Sequence, residues 1–318
     1  MTVALRPMTI GEILDRTFNV YRQNFKMFVA IGMVPAFFFF VANAIWVLMT
    51  TAQPRSHNGF STSAVVISLL AGLAILVVYV CASAITQGAV SYAVSAIHLG
   101  RSTSFSESYS RIKGKYLRIL NVVISVGIRI GGTVLLVIAA GFAFVFMPTI
   151  RNNAALGAVM VIVWLIAFVL VGWFVLRMTA RYSLAVPASV LEDLPARKAI
   201  KRSVALSKGS ILRILTVYVL FSVVNGAFAF AVAIPFQIAL VAAKAQLARV
   251  IILLSNQLAS SVVAAIVGPL ITIAITLIYY DERVRKEAFD VHYMMELLDG
   301  PAPEQANSAA ASAGPFPA

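Results

Sequence analysis

Cysteine is almost absent from this chain: Cys81 is the only one in 318 residues, and it sits inside an apolar run. A disulfide framework or a thiolate metal site within one chain is thereby excluded. Charge is scarce too, at 12% Asp, Glu, Lys and Arg, against about a quarter in ordinary soluble domains. His57, His98 and His292 are the only histidines and are widely separated. Acids are scarcest among the charged residues, 12 against 25 Lys and Arg, giving a net charge of +13. In a soluble protein that excess would point to nucleic acid. Its distribution along the chain points elsewhere, and no nucleic-acid partner is expected.

What the chain has in abundance is apolar sequence. Hydrophobic residues make up 61%, and the mean hydropathy is +0.92. Too little polar surface remains to cover a water-soluble body of this size, whereas lipid can cover apolar helices. Crossing a hydrocarbon core takes about 20 helical residues. Six stretches are long enough, near Met27–Thr50, Ala64–Ile97, Ile119–Met147, Ala154–Leu176, Ile211–Val241 and Val250–Tyr280. The first is too long for the apolar region of a signal peptide and is expected to be a retained span. A charged helix is expected over 281–298 and a disordered Ala/Pro/Ser tail over 299–318.

Lysine and arginine set the orientation. Twenty lie in the leader, the loops after spans two and four, and the C-terminal segment. Only Arg55, Arg151, Lys244 and Arg249 lie on the other side, and all twelve acids are on the first. The basic side is the cytoplasmic one, so both termini are expected in the cytoplasm of a multi-pass cell-membrane protein.

An internal repeat is legible. Thr9-Ile10-Gly11-Glu12 and Ser104-Phe105-Ser106-Glu107 share a capping-box pattern that opens a helix. Each begins an amphipathic segment that feeds a span. A third copy precedes span five, where Pro195 and Lys198 replace the capping residue and the glutamate. The second and third copies enter the membrane through Leu117-Arg118-Ile119-Leu120 and Leu212-Arg213-Ile214-Leu215. The expected fold is all-α: a polytopic bundle of about six spans, built as three parallel repeats of interfacial helix plus two spans.

Three stretches carry a family resemblance. They are Leu5 to Arg16 (LRPMTIGEILDR), Arg202-Ser203 with Leu206-Ser207-Lys208-Gly209, and Tyr279 to Asp290 (YYDERVRKEAFD). Over roughly Leu5–Leu298 the chain resembles bacterial membrane proteins named for the membrane domain of glycerophosphoryl diester phosphodiesterases. The resemblance implies a bacterial inner-membrane protein. It implies no phosphodiesterase activity, because the family's catalytic barrel is a separate soluble domain. Such a barrel needs about 200 residues, and no soluble segment of that length is present.

Chemistry is thin. No span holds Asp, Glu, Lys or His, so the paired carboxylates or clustered ligands of an intramembrane enzyme are missing. No catalytic residue, metal or cofactor is expected. Arg129 is the one charge within a span, about 16 Å deep if that span starts at its Leu-Arg-Ile-Leu entry. There it would bind a lipid phosphate or line a cavity with Asn225. If the span starts near Ile130, Arg129 sits instead among the headgroups, which is the preferred reading. Arg202 and Lys208 are further candidates for lipid or ligand binding. Asp281, Arg283, Arg285 and Phe289 are candidates for docking a partner, on a helix that otherwise reads as a solvated cap. Asp281 with Arg285 and Glu282 with Lys286 have the spacing of helical ion pairs.

The functional expectation is a non-catalytic membrane protein that binds anionic lipid headgroups or scaffolds another membrane protein. The alternative is a permease or transporter component with a pathway between the repeats.

Overall fold

The computed structural model describes residues 7–52, 62–145 and 154–288, and every regular element among them is a helix. Six are long: α2 (Phe25–Ala52), α3 (Thr62–His98), α5 (Tyr116–Val145), α6 (Ala154–Tyr182), α9 (Ile211–Ala242) and α10 (Gln246–Glu287). All six are long and apolar enough to cross a bilayer. The chain is an all-α polytopic bundle. Four short helices lie between them: α1 (Ile10–Gln23), α4 (Phe105–Lys113), α7 (Ala185–Leu191) and α8 (Ala196–Ser207). Phe289, the remainder of the 281–298 segment, the tail and Met147 lie outside the described residues.

The short helices start where their caps dictate. Thr9 accepts from the Glu12 amide at 3.3 Å, and the Glu12 carboxylate accepts from the Thr9 amide at 2.7 Å, completing a capping box. Ser104 caps α4 by accepting from the Glu107 amide. Pro195 opens α8 without a side-chain cap. Its missing N–H lies where the helix has no acceptor for it. Asn24 alone separates α1 from α2, and α2 begins at once because the Phe28 amide donates back to the Asn24 carbonyl.

The sixth span is longer than the sequence suggests. Instead of ending near Tyr280 it runs unbroken through the charged segment to Glu287, 42 residues in all. At about 1.5 Å per residue that is about 63 Å, twice the hydrocarbon thickness. Its first third is largely uncovered, whereas from Ser261 to Val284 most of its side chains are buried. α2 and α9 pack most extensively against it, with α3 and α1 completing the cover.

Two prolines shape this packing. Pro269 leaves the Ala265 carbonyl without its helical donor, since proline has no N–H. Gly32 of α2 lies against that carbonyl so closely that a Cβ there would stand 2.3 Å from the oxygen. Pro35 likewise strips the Ile31 carbonyl of its donor. The Tyr109 hydroxyl of α4 supplies one at 3.0 Å. Burial pushes the Tyr109 phenol up to about 12, which keeps it a donor. A helix break in one element is thus repaired by a side chain from another.

The buried core lies at one end of the bundle. It takes in Phe28 and Ile31 of α2, Ala84 to Val94 of α3, Ile119 and Val122 of α5, and Ile214 to Phe221 of α9. Toward the other end the spans present apolar side chains outward. None of the most apolar stretch of α6 is buried, and Val161, Phe168, Leu170 and Trp173 are all exposed. Lipid is the solvent such surfaces require.

Candidate functional site

At the packed end, the C-terminal turns of α10 meet the start of α9, the turns around α7 and α8, and the N-terminal segment. The Asp281 side chain is completely covered. One of its oxygens accepts from the Met8 amide at 2.6 Å. The other takes Arg285 Nε at 2.9 Å and a short contact from Arg213. Glu282, also fully covered, accepts from the Ser210 hydroxyl at 2.7 Å and pairs with Lys286 at 3.0 Å and Arg213 at 3.3 Å. Arg213 and Arg285 both donate to the Met8 carbonyl, at 2.5 and 2.6 Å. The two ends of the described chain are therefore fastened together on one side of the bundle.

A second cluster adjoins the first. Arg202 grips Glu192 with Nε and Nη2, at 2.9 and 3.0 Å, and reaches Glu287 with Nη2 at 2.7 Å. Burial disfavours its charge, but the hydrogen bonds to Glu287 and Glu192 outweigh that and raise the guanidinium above its ordinary value. Tyr279 donates to Glu192 at 2.5 Å, and Arg283 lies 5.7 Å from the centre of the Tyr279 ring. Lys286 donates to the Leu206 and Lys208 carbonyls, closing the C-terminal end of α8.

The candidates named from sequence fall in two groups. Arg202, Asp281, Arg283 and Arg285 all belong to this ion network. Lys208 contributes its carbonyl to it while its side chain is exposed. Asp281 and Glu282 are sealed inside the fold, so this stretch is not the solvated cap that its charge suggested. Arg129 and Asn225 are elsewhere, both exposed on their spans. Arg129 donates to the Ser125 carbonyl of its own helix at 2.9 Å. Among the described residues no hydrogen bond joins it to Asn225.

Sequence reasoning anticipated the two pairs within α10, Asp281–Arg285 and Glu282–Lys286. It did not anticipate Arg213 or Glu192. The signal was the shared Leu-Arg-Ile-Leu entry. Arg118, in the second copy, donates to Asp193 at 3.0 Å, and its counterpart Arg213 reaches Asp281. Each arginine opens a pair of long helices and holds an acid at or beyond the C-terminal end of that pair, Asp281 within the last turns of α10 and Asp193 beyond α6. Asp193 also takes Lys115 at 2.6 Å, and that hydrogen bond, with Arg118 adding its charge, holds its carboxyl below the usual range.

The network pairs five cations with four carboxylates and fastens α8, α9, α10 and the N-terminal segment together. Among the described residues no three His, Cys, Asp or Glu side chains come together as a metal ion would need. The three stretches that carry the family resemblance converge here, through Met8, Arg202 and the segment from Tyr279 onward. Neither the family models, nor the curated proteins, nor the solved structures compared with the chain match it.

Proposed function

We propose that this protein is a non-catalytic integral membrane protein of the bacterial inner membrane, whose cytoplasmic face binds anionic lipid headgroups and scaffolds other membrane components. The observation that carries this reading is how the charges are divided. Glu192, Asp281, Glu282 and Glu287 are spent on internal ion pairs. Arg22, Arg111, Arg197, Lys198, Lys201 and Lys208 stand exposed around the same end, and no ion pair joins them to an acid among the described residues. Each such cation near an anionic leaflet adds about 1 kcal/mol of attraction. With these four acids occupied, the face keeps a basic excess toward whatever approaches it.

The same division supports the orientation, with the ion-paired end and both termini cytoplasmic. The order of elements supports a threefold repeat: α1, α4 and α8 each precede two long helices. The matched roles of Arg118 and Arg213 support it further. Convergence of the three resembling stretches on one network supports kinship with the phosphodiesterase membrane-domain family.

The test is lipid-dependent stability of the purified protein. Neutralising Arg197, Lys198 and Lys201 to glutamine should reduce the thermal stabilisation given by phosphatidylglycerol over phosphatidylcholine. An undiminished preference in that variant would refute the basic-face reading. A second reading, a permease with a pathway between the units, rests on Arg129 and Asn225 being exposed on spans whose outer halves are uncovered. It predicts that Asn225→Leu abolishes solute flux in proteoliposomes while leaving the fold intact.

A further inference from the structure

The far end of the bundle holds a feature that the basic face does not explain. A cavity of about 310 Å³ opens there between the end of α2, the end of α9 and the start of α10, lined by Thr51, Leu240, Lys244, Gln246, Arg249 and Leu253. Gln246 and Asp281 are 35 residues apart on one helix, so this cavity lies about 50 Å from the ion network. We propose that it binds the phosphate of an anionic phospholipid in the opposite leaflet.

Its charge is uncompensated. The chain has twelve acids, and none lies between Asp15 and Glu107, between Glu107 and Glu192, or between Asp193 and Asp281. No acidic side chain therefore belongs to the connections at this end, and among the described residues Lys244 and Arg249 face a cavity without a counter-ion. Arg249 is also held in place. Its Nε donates to the Ala243 carbonyl at 3.0 Å, which fixes the plane of the guanidinium and leaves its terminal nitrogens for a forked contact with phosphate. Gln246 Nε2 donates to the Thr51 carbonyl at 2.9 Å and so fastens α2 to the turn between α9 and α10, giving the cavity a fixed rim. Ala245 offers no side-chain cap to α10, so the first amides of that helix add partial positive charge on the same side.

The remaining walls choose among anions. Leu240 and Leu253 are half-buried in the cavity, and apolar side chains such as Ile238, Val241 and Leu247 are exposed beside it. A free phosphate would gain nothing from these walls. A phospholipid would place its phosphodiester between Lys244 and Arg249 and its acyl chains along the apolar flanks of α9 and α10. The cavity is amphipathic in the same sense as that ligand.

The experiment uses the full-length protein in detergent, with binding of phosphatidylglycerol followed by native mass spectrometry. Replacing both Lys244→Gln and Arg249→Gln should weaken one binding step about thirtyfold, from the loss of two cation–phosphate attractions. Lys244→Arg, which keeps the charge, should retain that step. Millimolar inorganic phosphate should leave it in place. Both cations are exposed, so unchanged thermal unfolding of the double variant will show that the fold is intact. Loss of this step while lipid binding at Arg197, Lys198 and Lys201 persists would separate the two faces and support the proposal. Unchanged phosphatidylglycerol binding in the double variant would overturn it, and so would displacement of the lipid by inorganic phosphate.

Discussion

Asp281 accepts hydrogen bonds from a backbone amide and two arginines while fully sealed from solvent. Removing one partner of a buried pair leaves a charge without compensation, which costs about 3–5 kcal/mol. Arg213→Ala should therefore lower the stability of the purified protein by about that amount in a denaturant titration. Arg129→Ala, at an exposed position on its span, should cost far less. Asp193 offers a contrast at the same end, because its side chain is more than half exposed. Asp193→Asn should cost under about 1 kcal/mol. Its pH dependence has a definite sign. The folded carboxyl lies below its ordinary value, so the pair's contribution is complete above the unfolded value of about 3.9. It disappears as pH falls through the lower folded value. Stability curves of wild type and Asp193→Asn should therefore run apart at neutral pH and converge in acid.

Helix packing uses two carbonyls freed by prolines, one repaired by a hydroxyl and one closely approached by a glycine. Tyr109→Phe removes the donor to the Ile31 carbonyl that Pro35 leaves open, and an unpaired buried carbonyl costs about 1–3 kcal/mol. Pro35→Ala restores a main-chain N–H, so adding it to Tyr109→Phe should recover part of the lost melting temperature. Absence of that recovery would mean the hydroxyl matters for another reason. Gly32→Ala should destabilise by about 1–3 kcal/mol, because its Cβ would collide with the Ala265 carbonyl rather than with a movable side chain. The spans and the capped helices were legible in the sequence because hydropathy and capping are local signals, carried by runs such as Phe25–Ala52 and by Thr9 with Glu12. The two ion pairs within α10 were legible for the same reason, being one turn apart. Arg213 with Asp281, 68 residues apart, was not. Asp281 and Glu282 read as solvated because a cluster of charges ordinarily is, and only tertiary packing supplies the cations that allow both to be buried. Gly32 and Tyr109 gave no signal either, since their partners are carbonyls freed by prolines in other contexts.

The molecule is polarised from end to end. One end is a closed core with an ion-paired lock, and the other consists of apolar spans that only lipid can cover. The lock holds the N-terminal segment, the start of α9 and the end of α10 together, so its partners must lie on the same side of the membrane. Six helices long and apolar enough to cross satisfy that requirement, and the basic excess supports the proposal that this side is the cytoplasmic one. The measurement that tests this account most directly is site-specific labelling with a membrane-impermeant thiol reagent, in a Cys81→Ser background. Lys198→Cys, at the ion-paired end, should react only in inverted vesicles. Lys244→Cys, at the far end, should react on intact cells. Reaction of both positions from the same side, or the reverse pattern, would contradict the account.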